Sequence, residues 1–371
     1  MKIVAVNAGA DVSGAEKVLA QLIAVAVAGG DEVVLACPEG NLPDIVDPAV
    51  HHVPVPLSRL GRSRGRLGRL AAIAGLPVSW WRTARILRIA ARDADAVILN
   101  STFGLPAVGL AFPGHTWLRG SGRRRPTVTW LVHDTIHSPK QKVVALLGTH
   151  AITRAVGVSE VTAASVRRLV RRAESRPNGV RIPATPTGAT TTDPARPVVG
   201  ILAVLAAWKG HDVLLEAVAR VPEVHLEIAG TAFPGSEDWE RQLRGRAAQP
   251  DLAGRVRFLG HADPAEVFPR WDLIVSASTS PEAGPLGVLE AMAAGVPVLG
   301  TGHGGTAEYL AGGSGRLVPP GDVDALAEAM RELIHDPDGR ARLRDRARQV
   351  AERDHDLTTT LPRMLEALTR A

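Results

Sequence analysis

Twice along this chain a series of short apolar runs alternates with stretches of helical periodicity, and a segment belonging to neither separates the two series. In the first series the predicted strands are residues 3–6, 32–37, 52–55, 96–100, 127–133 and 155–159, with helical patterns at 15–28, 78–91 and 161–172. The second has strands at 198–202, 224–229, 256–259, 273–276, 296–300 and 316–318, with helical patterns at 213–219 and 325–334. Runs such as Val33-Val34-Leu35-Ala36 are apolar at every position rather than at alternate ones, the pattern of a strand buried on both faces. The implied class is α/β, with parallel sheets covered by helices. Residues 183–194 are rich in Pro and Thr and poor in core-forming side chains, so they read as an interdomain linker. With 371 residues, each half is long enough to bury its own core. The expected division is a first domain at residues 1–185, a linker at 186–197, a second domain at 198–355 and a closing helical segment at 356–371.

Composition excludes several classes. Cys37 is the only cysteine, so neither an intramolecular disulfide nor a cysteine zinc cluster can form. The apolar run before Asp11 is too short for a signal peptide, and no apolar run approaches the roughly 20 residues that cross a bilayer. A cytoplasmic protein is expected, able to touch the inner face of a membrane without spanning it. Charge is divided unevenly: residues 1–190 hold 24 Lys and Arg against 12 Asp and Glu, whereas residues 191–371 hold 19 against 26. From Pro48 to Arg92 no acidic residue occurs, while Arg59, Arg62, Arg64, Arg66, Arg69, Arg82, Arg85, Arg88 and Arg92 are interleaved with Leu67, Leu70, Ile73, Leu76, Trp80 and Trp81. Two readings stay open for this stretch. A basic segment with tryptophans grips an anionic lipid surface, each cation contributing about 1 kcal/mol; alternatively, these are solvated helix faces in a chain that uses Arg throughout and has only five Lys. Nucleic acid is not expected as a partner, because the arginines accompany no recognised reader motif.

The clearest chemical signal lies in the second series. Glu282 and Glu290 are separated by Ala283-Gly284-Pro285-Leu286-Gly287-Val288-Leu289, where the apolar run Leu273-Ile274-Val275-Ser276 passes through a loop into the helical pattern Leu289-Glu290-Ala291-Met292-Ala293-Ala294. Glu282 falls at the strand's carboxyl end, and Glu290 lies about two turns further at roughly 3.6 residues per turn, so both carboxylates can face one crevice beside a helix N-terminus. Such a crevice suits a phosphorylated sugar: free helix N–H groups attract phosphate, and carboxylates accept hydrogen bonds from sugar hydroxyls. Pro285 suits the first turn of that helix, which leaves the amides of Leu286 and Gly287 to meet a phosphate. Near the amino terminus, Ser13-Gly14-Ala15-Glu16 also follows a strand and opens a helix, either as a phosphate or acceptor loop at Gly14 or as a tight turn. Gly9 and Gly14 do not fit the spacing of a dinucleotide fingerprint.

The string from Pro281 to Val298, followed by Gly304-Gly305-Thr306-Ala307-Glu308, resembles the signature of retaining glycosyltransferases of family four, the glycogen synthase-like group with the GT-B architecture. The resemblance implies two Rossmann-like domains facing each other across a cleft, with the last helix, at 359–369, crossing back to the first domain and Pro362 in its first turn. It also implies transfer of a hexose-type sugar from a nucleoside diphosphate sugar to an acceptor hydroxyl in a glycan, a lipid-linked glycan or a small natural product, with no metal and no further cofactor. Glu282 would touch donor-sugar hydroxyls, Glu290 the ribose diol, and Gly14, Leu286 and Gly287 the phosphates. His133, at the end of the strand Val128-Thr129-Trp130-Leu131-Val132, resembles the histidine that the family places against the donor sugar. Lys209, in Trp208-Lys209-Gly210, resembles the lysine that compensates the departing diphosphate, and Gly304, Gly305 and Glu308 would shape the adjoining turn. The sequence departs from the family at Val204, where an Arg is usual five positions before that lysine. Losing one preorganised donor can lower a rate on the order of a hundredfold. A GT-B protein that binds a sugar nucleotide or a surface with weak or lost catalysis is therefore the alternative reading.

Overall fold

The computed structural model describes residues 1–9, 11–57, 66–113, 125–188, 196–233 and 236–370, the side chains of 66–72 excepted. The chain forms two compact units, Met1–Asn178 with Thr359–Ala371, and Gly179–Thr358. The amino-terminal unit holds β1 (Lys2–Val6), β2 (Glu32–Cys37), β3 (His51–Pro54), β4 (Ala96–Leu99), β5 (Thr127–Val132), β6 (Arg154–Gly157) and β7 (Ala173–Ser175), paired in the order β3-β2-β1-β4-β5-β6-β7. The carboxyl-terminal unit holds β8 (Val198–Leu202), β9 (His225–Ala229), β10 (Val256–Gly260), β11 (Leu273–Ser276), β12 (Val298–Thr301) and β13 (Arg316–Val318), in the order β10-β9-β8-β11-β12-β13. Every pairing in both sheets is parallel. In each sheet the order turns back beside the first strand, between β1 and β4 and between β8 and β11. At such a point the connections leave in opposite directions and open a crevice beyond the strands' carboxyl ends.

The strands are nearly continuous apolar runs because helices cover both faces. Helix Gly14–Ala28 buries Val18, Leu19, Leu22, Ile23 and Ala26, the three- and four-residue spacing of one helical stripe. Its start is fixed by Glu16, whose carboxylate accepts from the Ser13 amide at 3.1 Å. In the other unit, Gly200 in the middle of β8 makes room for Trp271: a Cβ there would lie 2.0 Å from the indole. The Trp271 Nε1 donates to the buried carboxylate of Glu227 at 2.9 Å, which Arg257 and Arg270 neutralise at 3.0 Å each.

Several elements differ from expectation. The helix expected from residue 78 runs Arg66–Ala90 through Pro77. Pro77 offers no N–H to the carbonyl of Ile73, but both residues are exposed, so water can satisfy that carbonyl. The pattern at 161–172 is a short helix, Glu160–Val166, followed by the edge strand β7, whose Glu174 pairs with Arg154 at 2.7 Å and Arg176 at 2.9 Å. Helices Glu237–Ala247 and Pro337–Asp354 were not expected. The last helix is Leu357–Thr369, begun by Asp356, which accepts from the Thr358 amide at 2.8 Å. Pro362 is therefore its sixth residue and not in the first turn. Residues 179–185 lie in the carboxyl-terminal unit: Val180 donates to the His355 carbonyl at 2.7 Å, and Arg348 donates to that of Pro183 at 2.6 Å. Of the linker segment, 189–195 lie outside the described residues, as do Arg59, Arg62 and Arg64 and the side chains of Arg66 and Arg69.

Candidate functional site

In the carboxyl-terminal unit the chain leaves β11 through Ala277 and Ser278 and brings Glu282 to the crevice. The Glu282 side chain is 11% exposed, and its two oxygens accept from Ser278 Oγ and from Lys209 Nζ. Lys209 arrives from β8 by a single 3-10 turn, Ala207–Lys209, that ends at Gly210. Gly210 has φ of +69°, and a Cβ on it would lie 2.0 Å from the Ala277 carbonyl, so only glycine lets this turn press against the end of β11. The Thr279 amide donates to the Trp208 carbonyl at 2.8 Å and ties the two loops together.

A second pair of glycines seats Glu282 from the other side. Gly304, with φ of +59°, lies where a Cβ would meet the Glu282 carbonyl at 2.6 Å and its amide nitrogen at 2.7 Å. Gly305 donates its amide to the same carbonyl at 2.7 Å. Ser278 is held as well: its carbonyl accepts from Thr301 Oγ1 at 2.9 Å and lies 2.7 Å from His303 Nε2. Pro285 is the residue before helix Leu286–Ala294, with φ −69° and ψ 110°, and not a member of its first turn. The amide of Val288 turns back to the Pro285 carbonyl at 3.2 Å, so Leu286 and Gly287 are the amides at the tip that the helix itself does not use.

Lys209, Ser278, Glu282, Pro285, Leu286 and Gly287 line one cavity of about 70 Å³ together with the ends of β8 and β11. Small-molecule pockets measure roughly 300–1,000 Å³, so this one takes a group of a ligand and not a whole sugar nucleotide. A lysine ammonium and unused helix amides suit that group to be a phosphate. Glu290 is the fifth residue of the helix, half-buried and outside the cavity's lining. Among the described lining residues Lys209 is the one cation; Val204, half-buried on the loop after β8, contributes none. His211, just beyond Gly210, is fully buried, and neither ring nitrogen has a partner of good geometry. Burial, and then the charge of Lys209, lower its pKa to about 4, an effect the Ala206 backbone only partly offsets. The imidazole next to Lys209 is thus neutral. Among the described residues no cluster of His, Cys, Asp or Glu could hold a metal ion.

The amino-terminal unit carries a different arrangement at its own switch point. Asn7 follows β1, Asn100 follows β4 and His133 follows β5. Asn7 Nδ2 donates to Glu16 Oε1 at 3.0 Å, Asn100 Nδ2 lies 3.1 Å from Asn7 Oδ1, and His133 Nε2 lies 2.8 Å from Asn100 Oδ1. Asn7, Glu16 and Asn100 are buried. Gly14 is exposed at the first turn of its helix. Of the residues named from sequence, Lys209, Glu282, Leu286 and Gly287 therefore stand around one cavity, Glu290 lies on the adjoining helix outside its lining, and Gly14 and His133 belong to the other unit. Sequence reasoning missed Ser278, Thr301 and His303, and it missed Asn7 and Asn100. The two asparagines could have been found by the rule that selected His133: each is a polar residue immediately after an apolar strand.

Residues 189–350 match the family model described as glycosyl transferases group 1. The lipopolysaccharide core biosynthesis glycosyltransferase LpsE of Rhizobium meliloti is 33% identical over 156 residues, 42% of this chain and 44% of that protein. The phosphatidyl-myo-inositol mannosyltransferase of Mycolicibacterium smegmatis is 37% identical over 141 residues, 36% of this chain and 34% of that protein. The chain thus spans less than half the length of the curated relatives it matches. Over its whole length it is similar in structure to Anabaena HepE, solved with UDP and glucose, at a TM-score of 0.80, 22% identity and full coverage of both chains. WaaG, a glycosyltransferase involved in lipopolysaccharide biosynthesis, is similar at a TM-score of 0.69, 17% identity and full coverage. The fold is the GT-B pair of Rossmann-like units, and within it residues 189–350 are similar to the group 1 glycosyl transferases.

Proposed function

We propose that this chain is a retaining hexosyltransferase that moves a sugar from a nucleoside diphosphate sugar to an acceptor hydroxyl. The observation that carries the reading is the Lys209–Glu282 pair set against the tip of helix Leu286–Ala294 at the β8/β11 switch point. In this reading the diphosphate takes the helix amides and the Lys209 ammonium, and Glu282 turns its oxygens to sugar hydroxyls. Glu290 serves the ribose diol. For the amino-terminal unit, taken by itself, the same reading gives Gly14 a phosphate oxygen and His133 a sugar hydroxyl. The acceptor oxygen bonds to the anomeric carbon on the face from which the diphosphate leaves, the carbon–oxygen bond to phosphate breaks, and a phosphate oxygen takes the acceptor proton. Lys209 stabilises the charge that develops on the leaving group. The reading requires no metal and no cofactor beyond the donor.

Support for the sugar nucleotide comes from the group 1 match and from the UDP-bound HepE structures. The acceptor is proposed only as a hydroxyl of a glycan or lipid, since the similar proteins named above act in lipopolysaccharide and phosphatidylinositol chemistry. An anionic membrane surface is proposed as the place of work. Helix Arg66–Ala90 exposes Ile73, Val78, Trp81 and Ile89 beside Arg82, Arg85 and Arg88, with the Arg85 guanidinium 5.0 Å from the Trp81 ring. Among the described residues no helix is long and apolar enough to cross a membrane.

Incubation with radiolabelled sugar nucleotides tests the reading: transfer or slow donor hydrolysis is expected, with the product anomer matching the donor. Val204 favours a second reading, a binder that has lost turnover, because it stands where the resemblance leads to an arginine. Tight nucleotide binding with no turnover of any donor would select that second reading.

A further inference from the structure

Glu282 is held from two directions by partners of different kinds. Its Oε2 meets the Lys209 ammonium, which arrives on the turn after β8, and its Oε1 accepts from the Ser278 hydroxyl, four residues back along its own loop. An incoming diphosphate competes for the ammonium, because it brings more negative charge than one carboxylate. A neutral hydroxyl offers an anion far less, and Ser278 is 1% exposed, so water does not compete for it either. The one hydrogen that this hydroxyl can donate is committed to Glu282. The backbone under the contact is fixed as well. The Ser278 carbonyl has two acceptor sites, and two partners stand against it, Thr301 Oγ1 at 2.9 Å and His303 Nε2 at 2.7 Å. The Glu282 carbonyl accepts from the Gly305 amide at 2.7 Å, with Gly304 packed against the same peptide. Residues 301–305 therefore seat both Ser278 and Glu282. The Lys209 side chain belongs to a separate loop, and its flexible four-carbon stem can swing to an anion while that seat stays.

We propose that Ser278 is a positioning residue that keeps Glu282 aimed after the diphosphate has drawn Lys209 away, so that Oε2, the oxygen Lys209 gives up, meets a hydroxyl of the donor sugar at a fixed place. Thr301 and His303 act one step further back, on the Ser278 carbonyl. This rests on the sugar-nucleotide reading and deepens it, since it names the oxygen that takes the sugar and the group that holds it there. A glutamate with no second partner would gain rotamer freedom on losing the lysine. A sugar hydroxyl would then have to order the side chain as well as bind it.

Two ligands that differ only by the sugar test the proposal: UDP with UDP-glucose or UDP-galactose, or GDP with GDP-mannose, whichever set wild type binds most tightly. Each is titrated calorimetrically into the full chain, as wild type and as Ser278→Ala. Lys209 and the helix tip are intact in the variant, so the nucleoside diphosphate is expected to bind within about twofold of wild type, whereas the sugar nucleotide is expected to bind about tenfold more weakly, the lower end for losing a hydrogen bond to a charged group. A serine that only holds the loop together would weaken both ligands alike when removed. Either that result or wild-type affinity for both ligands would overturn the proposal and leave the sugar-nucleotide reading in place. If Ser278→Ala does not fold, a crystal structure of wild type with the nucleoside diphosphate decides. Glu282 Oε1 is expected to remain within hydrogen-bond reach of Ser278 Oγ, and a Glu282 turned away from Ser278 would overturn the proposal. A wild type that binds no sugar nucleotide would sink the sugar-nucleotide reading itself, and the proposal with it.

Discussion

The two sheets place their polar residues at the same topological point and use opposite materials there. At the β1/β4 switch point the groups between Glu16 and His133 are neutral amides, joined in a fixed order and largely withdrawn from water. At the β8/β11 switch point the groups are a lysine and a carboxylate in direct contact, with unused helix amides alongside. Hydrogen bonds without charge are what the asparagines supply. Charge is what Lys209 supplies, and its pairing with Glu282 keeps it compensated until an anion competes for it. The contrast follows the division of charge in the sequence only in part. In the basic amino-terminal half the described Arg88 donates to the Leu110 and Ala111 carbonyls and Arg154 pairs with Glu174, whereas the acidic carboxyl-terminal half sets Lys209 in the cavity where a diphosphate would need it.

The largest expected effect breaks the comparison at its charged end. Lys209→Met should lower turnover on the order of a hundredfold or more, the usual cost of a donor aimed at developing charge. Steady-state rates with a labelled donor check this, and a loss below tenfold would mean that the cation is not where the charge develops.

A second test sharpens the difference in the folded state. The His211 pKa is lowered to about 4, so the unfolded chain, with an ordinary value near 6.5, binds the extra proton first as pH falls. Stability from His211 is therefore complete above about pH 6.5 and is lost progressively down to about pH 4, on the order of 3 kcal/mol in all. Thermal unfolding against pH should show this slope, and His211→Leu should flatten it; equal slopes would contradict the burial of a neutral ring.

Smaller effects probe the glycine seat and the missing arginine. Gly304→Ala must adopt φ of +59° and place a methyl 2.6 Å from the Glu282 carbonyl, which should cost about 1–3 kcal/mol of stability and displace Glu282. Chemical denaturation and turnover measured together check it: a stable variant with full activity would mean that the loop gives way easily. The smallest effect concerns Val204. Val204→Arg adds a second cation beside the site and should leave donor affinity similar or better while raising turnover a few-fold, well within what one added donor can supply. A large loss would show that the site is built around the valine.

Most of this architecture was legible because fully buried strands are written as continuous apolar runs. The exceptions are physical. β7 is three residues long and carries Glu174 and Ser175 at a sheet edge, so no apolar run marks it. Helix Pro337–Asp354 buries Gly339, Ala347, Val350 and Ala351, mostly small residues among arginines, and its stripe is too weak to read. At the site, Glu282 was legible because its neighbours form a recognisable string, and Lys209 because a glycine turn follows it. Ser278 was not, because its role depends on Thr301 and His303, which meet its carbonyl from the end of β12; Asn7 and Asn100 went unread although each follows an apolar strand as His133 does. Gly304 and Gly305 were legible as turn-formers, and their exact use, a backbone seat for Glu282, came only with the fold.

The most direct test of the central claim is calorimetric titration of a nucleoside diphosphate into wild type, Glu282→Gln and Lys209→Met. If Lys209 is the cation that a diphosphate takes from Glu282, the Gln variant should bind at least as tightly as wild type, because its lysine no longer has a carboxylate partner, and the Met variant should bind least. Equal affinity in all three proteins would contradict the account.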